Sequence, residues 1–196
     1  MSSETRPEVI IRPAVFPTDK PIVSELFLAY AQSLPISLDF QNFEHELAEL
    51  PGKYAVENGG AIYLACKTSS PSASDSSTTS SSSIDPEVPQ SSQSSPYAEE
   101  QVIGCIAIRA FPTSNSIPTC ELKRLYLTPE SRGLGVSKLL LDLAIQQARQ
   151  SGYKEMLLDT LSNMTAAKAL YKRYGFEEIG SYYESVEDAA FYRLVL

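Results

Sequence analysis

Apolar and polar positions in the first third of the chain follow patterns that predict two strands and two helices. The short β-branched run 8–15 predicts a strand. Asp19 then precedes a segment whose apolar residues recur at helical spacing, which predicts a helix over 20–34. A second run of this kind predicts a helix over 39–50, and the apolar run 61–67 predicts the next strand.

A serine-rich segment interrupts this pattern. Fourteen of the 27 residues in 69–95 are serine, with prolines interspersed. Such a composition buries too little apolar surface to offset the entropy of ordering the chain, so it predicts disorder over about 68–99. The apolar run 101–111 that follows predicts a strand. Because a long loop adds little closure entropy, we interpret the segment as an insertion into a hairpin of strands 61–67 and 101–111.

The last third of the chain is the most regular. Its patterns predict a strand over 120–127, a helix over 136–150, a strand over 154–160 and a helix over 165–176. A terminal pair of strands is predicted over 176–183 and 189–196. The complete order is β-α-α-β-β-β-α-β-α-β-β. This order predicts an α/β fold with a mixed sheet centred on one strand–helix–strand unit.

Composition limits the class of protein further. With 196 residues, 43% hydrophobic and 20% charged, the chain predicts one globular domain over 1–196. No apolar run reaches the roughly 18 residues of a membrane span, and the N-terminus lacks the features of a secretory signal, so we expect no membrane association and a cytoplasmic location. The net charge of −8 disfavours general binding to nucleic acid.

Cysteine and histidine usage argues against a disulfide framework and a metal site. Cys66, Cys105 and Cys120 each lie in an apolar, strand-like run, which predicts buried and reduced thiols. The single histidine, His45, lies in a polar helical stretch and is typical of a surface residue. With no cysteine pair at metal spacing, we expect no structural zinc and no other metal.

The most informative motif is Arg132, Gly133 and Gly135 at the start of the helix predicted over 136–150. A helix N-terminus leaves its first N–H groups without intrahelical acceptors and carries partial positive charge. Glycines there allow a sharp turn and the close approach of a bulky anion, and Arg132 and Lys138 add charge. The motif therefore predicts a phosphate-binding turn, although a tight turn without a ligand fits the same residues.

Two common phosphate-binding motifs fit poorly. The P-loop spacing G-x-x-x-x-G-K-S/T is absent. The dinucleotide fingerprint G-x-G-x-x-G begins at Gly133 and Gly135, but Lys138 occupies the place of its third glycine. Asp159 is a candidate for the ribose-binding acid of that fingerprint. A doubly wound sheet, however, needs several strand–helix–strand units, and only one is predicted.

Residues 119–180 resemble the GNAT superfamily of N-acetyltransferases, and a looser resemblance extends over the whole chain. The family's cofactor motif, Q/R-x-x-G-x-G/A, is met by residues 132–137 except that Ser137 replaces the last small residue. A second motif, A-x-x-L-Y-x-x-x-G-F, is complete in residues 167–176. Met164 occupies a position where relatives often carry asparagine. The predicted element order also agrees with the mixed, mostly antiparallel GNAT sheet flanked by helices.

The resemblance implies acetyl-CoA as cosubstrate. Its pyrophosphate would bind the main-chain amides of about residues 133–138, and its pantetheine arm would lie along the strand 120–127 like an added strand. The implied cofactor-binding residues are Leu125, Tyr126, Leu127, Arg132, Gly133, Leu134, Gly135, Val136, Ser137, Lys138, Met164 and Tyr171.

The resemblance also implies direct transfer of an acetyl group to a primary amine of a small molecule, amino acid or peptide N-terminus. Tyr171 is the implied acid that protonates the departing thiolate, and a core-packing tyrosine is the alternative. Glu121 is the candidate base, acting directly or through water. The alternative for Glu121 is a carboxylate that faces solvent or pairs with Lys123. A backbone N–H near Leu127 would hold the oxyanion.

The acceptor site is implied around residues 33–40 and 182–190. Glu184, Glu187 and Asp188 are candidates to attract a cationic amine, and Tyr182 and Tyr183 to line the groove; solvent-exposed charges are the alternative. A catalytically silent acyl-CoA sensor remains a second function. It would keep the turn at 132–138 without needing Tyr171 or Glu121. The expected assembly is a monomer or a homodimer.

Overall fold

The computed structural model describes residues 8–38, 42–68, 100–114, 116–131, 133–184 and 188–196. Within these ranges seven strands form one sheet, with bounds β1 Glu8–Pro13, β2 Ala61–Thr68, β3 Glu100–Ala110, β4 Thr119–Leu127, β5 Glu155–Leu161, β6 Glu177–Ile179 and β7 Ala189–Val195. The helices are α1 Lys20–Ser33, α2 Phe43–Ala48, α3 Val136–Gln150 and α4 Thr165–Arg173, with short 3-10 turns at Gly52–Tyr54, Val56–Asn58 and Pro129–Ser131.

The predicted order of strands and helices is confirmed in these residues. The helix predicted over 165–176 ends at Arg173, two residues before Gly175, whose φ of 86° does not continue a helix. The last strand pair is also shorter than predicted, since β6 covers only three residues. The first residues of the helix predicted over 39–50, the disorder predicted for the serine-rich insertion, and Arg132 lie outside the described residues.

The sheet is mixed and mostly antiparallel, as predicted. Its strand order is β1-β2-β3-β4-β5-β7-β6, and β2 and β3 form the expected antiparallel hairpin. In the part of the chain described, β4 and β5 are the one parallel pair, and α3 connects them. The doubly wound parallel sheet that a dinucleotide site requires is therefore not present in these residues.

Two hydrophobic cores cover the two faces of the sheet. One lies under α3 and α4 and includes Leu140, Leu141 and Met156. The other lies under α1 and α2 and includes Val23 and Phe27. The three cysteines are free and buried in these cores, as predicted, and burial raises the pKa of each thiol to about 12. No helix of the described ranges is long and apolar enough to cross a bilayer.

The middle of β4 departs from regular strand geometry in a way that positions the site. Arg124 has a φ of 58°, and the register with β3 shifts between Cys105 and Ala107. This bulge breaks the alternation of side chains, so Lys123 and Arg124 both face the α1–α2 side. On the other edge of β4, pairing with β5 extends only from Thr119 to Glu121. Beyond that point the two strands diverge.

Candidate active site

A cavity of about 650 Å³ occupies the gap between the diverging halves of β4 and β5. We call it the central cavity. Its walls come from α1, β4, β5 and α4, and it is lined by Tyr30, Ser33, Leu122, Lys123, Arg124, Leu125, Tyr126, Leu127, Pro129, Ser137, Asp159, Thr160, Met164, Ala166, Ala167, Ala169, Leu170, Tyr171 and Arg173. The structure thus brings together six of the predicted cofactor residues: Leu125, Tyr126, Leu127, Ser137, Met164 and Tyr171.

A second depression adjoins the central cavity at the start of α3. It is lined by Leu127, Thr128, Ser131, Gly133, Gly135, Val136 and Ser137 and has a volume of about 540 Å³. We call it the glycine cradle. Leu127 and Ser137 line both spaces, so the two lie next to each other. Of the remaining three predicted residues, Arg132 lies outside the described residues, Leu134 packs against the core, and the exposed Lys138 lines neither space.

The glycine cradle combines open space with hydrogen-bond donors, an arrangement that suits an anionic ligand. Gly133 and Gly135 both have a φ of 74°, and a Cβ atom added to either would meet no protein atom within 4 Å. The side-chain oxygen of Thr128 is buried and has no hydrogen-bond partner within the described part of the chain. Buried hydroxyls normally find a partner, so this group fits a ligand that supplies one. The first turn of α3 provides further N–H donors.

The structure places Tyr171 both in the hydrophobic core and at the wall of the central cavity. Its ring contacts Phe176 edge-on with centroids 5.6 Å apart, and the residue is 5% exposed, as expected of a packing residue. It also lines the central cavity from α4. Burial, with smaller contributions from Tyr30 and Asp159, raises the pKa of Tyr171 well above its usual value. The hydroxyl therefore stays protonated at neutral pH.

Glu121 lies just outside the central cavity in a fully paired environment. Its side chain is 0% exposed. One oxygen accepts hydrogen bonds from Arg109, at 2.7 Å from Nε and 2.6 Å from Nη2. The other accepts one from the hydroxyl of Tyr182 at 2.8 Å and lies 3.3 Å from Nζ of Lys123. The ion pair with Lys123 foreseen as an alternative is present, so any proton transfer to Glu121 requires a relay.

Asp159 is the carboxylate of β5 that lines the central cavity. Lys123 reaches across the gap between the strands, and its Nζ lies 2.7 Å from Oδ1 of Asp159. Because pairing of β4 with β5 ends at Leu157, this ion pair spans the opening that the divergence creates. Arg109, Glu121, Lys123 and Asp159 thus form a row of alternating charges that ends in the cavity.

A buried ion pair between Glu46 and Arg124 was not predicted from the sequence. Nε of Arg124 donates at 2.8 Å and Nη2 at 3.0 Å to the two oxygens of Glu46, and each side chain is 2% exposed. Burial alone would raise the pKa of Glu46, but the bonds and charges of Arg124 and Lys53 lower it to about 2. The guanidinium also lies over the rings of Tyr30 and Phe43. Nothing in the local sequence indicates a partnership across 78 positions.

The two tyrosines of the loop between β6 and β7 pack against β7, and its described acids are exposed. Tyr182 and Tyr183 both pack edge-on against Phe191, with centroids 5.1 and 5.2 Å apart. Neither tyrosine lines the central cavity. Glu184 and Asp188 are exposed. Glu187 lies outside the described residues.

Comparison with known proteins defines the class. The acetyltransferase (GNAT) family matches residues 53–176. An N-acetyltransferase of Dictyostelium discoideum, itself uncharacterized, is 32% identical over 89% of this chain and 93% of its own length. One from Schizosaccharomyces pombe, also uncharacterized, is 31% identical over 86% of this chain and 83% of its own length. The chain belongs to the GNAT family of acetyltransferases.

A solved structure agrees with this assignment at the level of the fold. The protein yncA of Salmonella typhimurium, solved with its cofactor acetyl-CoA, superposes with a TM-score of 0.62 at 16% identity, over 95% of this chain and 93% of the other. Family membership supports an acyltransferase activity.

Proposed function

We propose that this protein transfers an acetyl group from acetyl-CoA to a primary amine. The observation that carries the proposal is that the glycine cradle adjoins the central cavity, which Tyr171 lines from α4. A diphosphate in the cradle and a thioester near Tyr171 would use both spaces. The acceptor is a small amine, an amino acid or a peptide N-terminus.

The glycine cradle and β4 would hold the cosubstrate. Amides of the first turn of α3 and the hydroxyl of Thr128 supply donors to a diphosphate. Residues 125–127 lie on the β4 edge that diverges from β5, where main-chain groups can bond a pantetheine arm as an added strand would. Met164 lines the same cavity with a thioether in place of the amide common in relatives. When bound, acetyl-CoA supplies the activated acyl group.

Tyr171 is proposed as the acid. The amine nitrogen bonds to the carbonyl carbon of the thioester, the carbon–sulfur bond breaks, and the sulfur takes the hydroxyl proton of Tyr171. An ammonium acceptor loses two protons during the reaction, one to the base before the attack and one that restores the tyrosine hydroxyl. Burial raises the pKa of Tyr171, so its hydroxyl is protonated and available as a donor to the departing sulfur.

Glu121 remains a prediction as the base. Its oxygens are occupied by Arg109, Tyr182 and Lys123, so a proton would reach it through Lys123 or through water. How much a general base is needed depends on the pKa of the acceptor amine. An α-amino group of pKa about 8 is partly neutral at pH 7, whereas a lysine of pKa about 10.4 is almost wholly charged.

A catalytically silent acyl-CoA sensor is the second candidate, because it would need the cradle but neither Tyr171 nor Glu121. Calorimetric titration with CoA and a free-thiol release assay across a panel of amines separate the two. An enzyme binds CoA and releases thiol only when an acceptor is present. Binding without thiol release across α-amines and internal lysines would support the sensor. Activity restricted to internal lysines would reject the proposed acceptor class.

We also propose that the chain forms one such domain. Strands β2 and β3 pair directly although residues 69–99 separate them, which supports an insertion into a hairpin.

A further inference from the structure

We propose that Asp159 binds the acceptor nitrogen, and that Lys123 occupies this position while no acceptor is bound. The inference rests on the proposed function and deepens it, because it names the residue that selects a basic nitrogen. It also gives Glu121 a role as the carboxylate that holds Lys123 when Asp159 is engaged.

Asp159 lies in the part of the site where an acceptor could enter. Asp159 lines the central cavity together with Tyr171, whereas Glu121 does not line it and is 0% exposed. Asp159 also lies two residues beyond Leu157, the last residue of β5 that pairs with β4. It is therefore the carboxylate of β5 that lies in the opening between the strands, and it lines the same cavity as the proposed acid.

The present partner of Asp159 is itself a basic nitrogen. The Lys123 ammonium lies 2.7 Å from Oδ1 of Asp159, and both side chains are largely buried, at 9% and 16% exposed. An acceptor amine presents the same donor chemistry, an N–H group on a basic nitrogen. A cavity that already places such a nitrogen against Asp159 has the geometry to place another there.

The charges of the row remain paired when an acceptor replaces Lys123. Removing the partner of a buried ion is costly, because the ion left behind is poorly solvated. Here Lys123 has a second carboxylate, since its Nζ also lies 3.3 Å from Oε1 of Glu121. Glu121 is in turn held by Arg109 and Tyr182. When an acceptor takes the place of Lys123 at Asp159, every charge in the row still has an opposite neighbour.

The position also suits the reaction. A neutral amine acquires positive charge as its nitrogen bonds to the carbonyl carbon, and a carboxylate hydrogen-bonded to that nitrogen stabilises the charge as it develops. The negative charge of Asp159 contributes to the raised pKa of Tyr171, so the two side chains interact electrostatically. Amine and acid would then meet in the central cavity.

The test measures steady-state acetylation of a primary amine by the full chain and its variants Asp159→Asn and Lys123→Gln. Asp159→Asn should lower kcat/KM for the amine about 10- to 100-fold, the range for one hydrogen bond to a charged group, with CoA affinity unchanged. Lys123→Gln should lower the KM for the amine several-fold, because it removes the competing ammonium. A merely structural lysine would not give this gain.

Glu155→Gln is the matched control. Glu155 lies on the same strand and pairs with Arg193 at 3.5 Å, but it does not line the central cavity. Its variant should retain wild-type kinetics. If Asp159→Asn does not fold, the KM of Lys123→Gln decides the matter alone. Wild-type kinetics in Asp159→Asn, or an unchanged or raised amine KM in Lys123→Gln, would overturn the inference while the wild-type transfer still supported the proposed function. Failure of the wild-type protein to acetylate any amine would instead remove the proposed function itself.

Discussion

Arg124 and Glu46 form a two-pronged ion pair that is almost completely buried and joins the β4 bulge to α2. Among the described residues, Arg124 is the one non-glycine residue of β4 with a positive φ, and it lies in the half of β4 that diverges from β5. The ion pair holds it there. Arg124 also lines the central cavity. The shape of the site therefore depends on a contact between distant parts of the chain.

Breaking this ion pair should destabilise the fold. Glu46→Gln leaves the Arg124 guanidinium buried without its counter-charge, so we expect a loss of about 3–5 kcal/mol in the free energy of unfolding. Urea denaturation monitored by circular dichroism measures it. Glu49→Gln is the control, because Glu49 follows the same helix but is 64% exposed, and its loss should stay below about 1 kcal/mol. Equal losses in the two variants would contradict a buried pair.

The same carboxylate should make stability depend on acid pH. The pKa of Glu46 falls from an ordinary value of 4.5 to about 2 on folding. A depressed pKa in the folded state stabilises the protein above the unfolded pKa, and this contribution, about 3 kcal/mol, is lost as the pH falls from about 5 towards 2. Unfolding free energies at pH 5, 4 and 3 should decline more steeply for the wild type than for Glu46→Gln. Parallel slopes would show that Glu46 titrates normally.

Removing the hydroxyl of Tyr171 should separate catalysis from binding. Tyr171→Phe keeps the ring that packs against Phe176 but deletes the proposed proton donor. We expect kcat to fall about 10²- to 10⁴-fold, the usual contribution of an acid or base, with CoA affinity within twofold of wild type. The control is Tyr174→Phe. Tyr174 directly follows the last residue of the same helix but does not line the central cavity, so this variant should leave kcat unchanged. An undiminished kcat in Tyr171→Phe would end its assignment as the acid.

A methyl group in the glycine cradle should weaken CoA binding. Gly135→Ala strains a residue with a φ of 74° and places a Cβ atom in open space at the start of α3. Gly152→Ala is matched to it, since Gly152 has a φ of 85° and equally open surroundings beyond the other end of α3. Both variants should lose about 1–2 kcal/mol of stability. Titration calorimetry should detect weaker CoA binding, by about tenfold, only in Gly135→Ala; equal affinities would argue against the cradle.

The helices and strands could be predicted because their signals are local. The helix over 136–150 agrees with α3 residue for residue, since its apolar stripe follows a glycine turn and ends before Gly152. The residues proposed to bind the cofactor come from the resemblance to the GNAT family, whose motifs have fixed spacing on such elements. The bulge at Arg124 has no local signal, because neither a glycine nor an asparagine marks its positive φ.

The charged part of the site could not be predicted for a related reason. Whether Glu121 faces solvent, a substrate or another side chain depends on the register of β4 against β3, which sets Arg109 opposite it. Likewise, Lys123 meets Asp159 only because two strands that begin as a parallel pair diverge. Such contacts arise from tertiary packing, and a single sequence records the residues but not their partners.

The most direct test of the central claim follows free CoA thiol and acetylated amine together when the purified protein receives acetyl-CoA and an α-amine. The account predicts tight binding of CoA, thiol release only when the amine is present, and one molecule of N-acetyl product for each thiol. Binding without amine-dependent thiol, or no measurable affinity for CoA or acetyl-CoA, would contradict it.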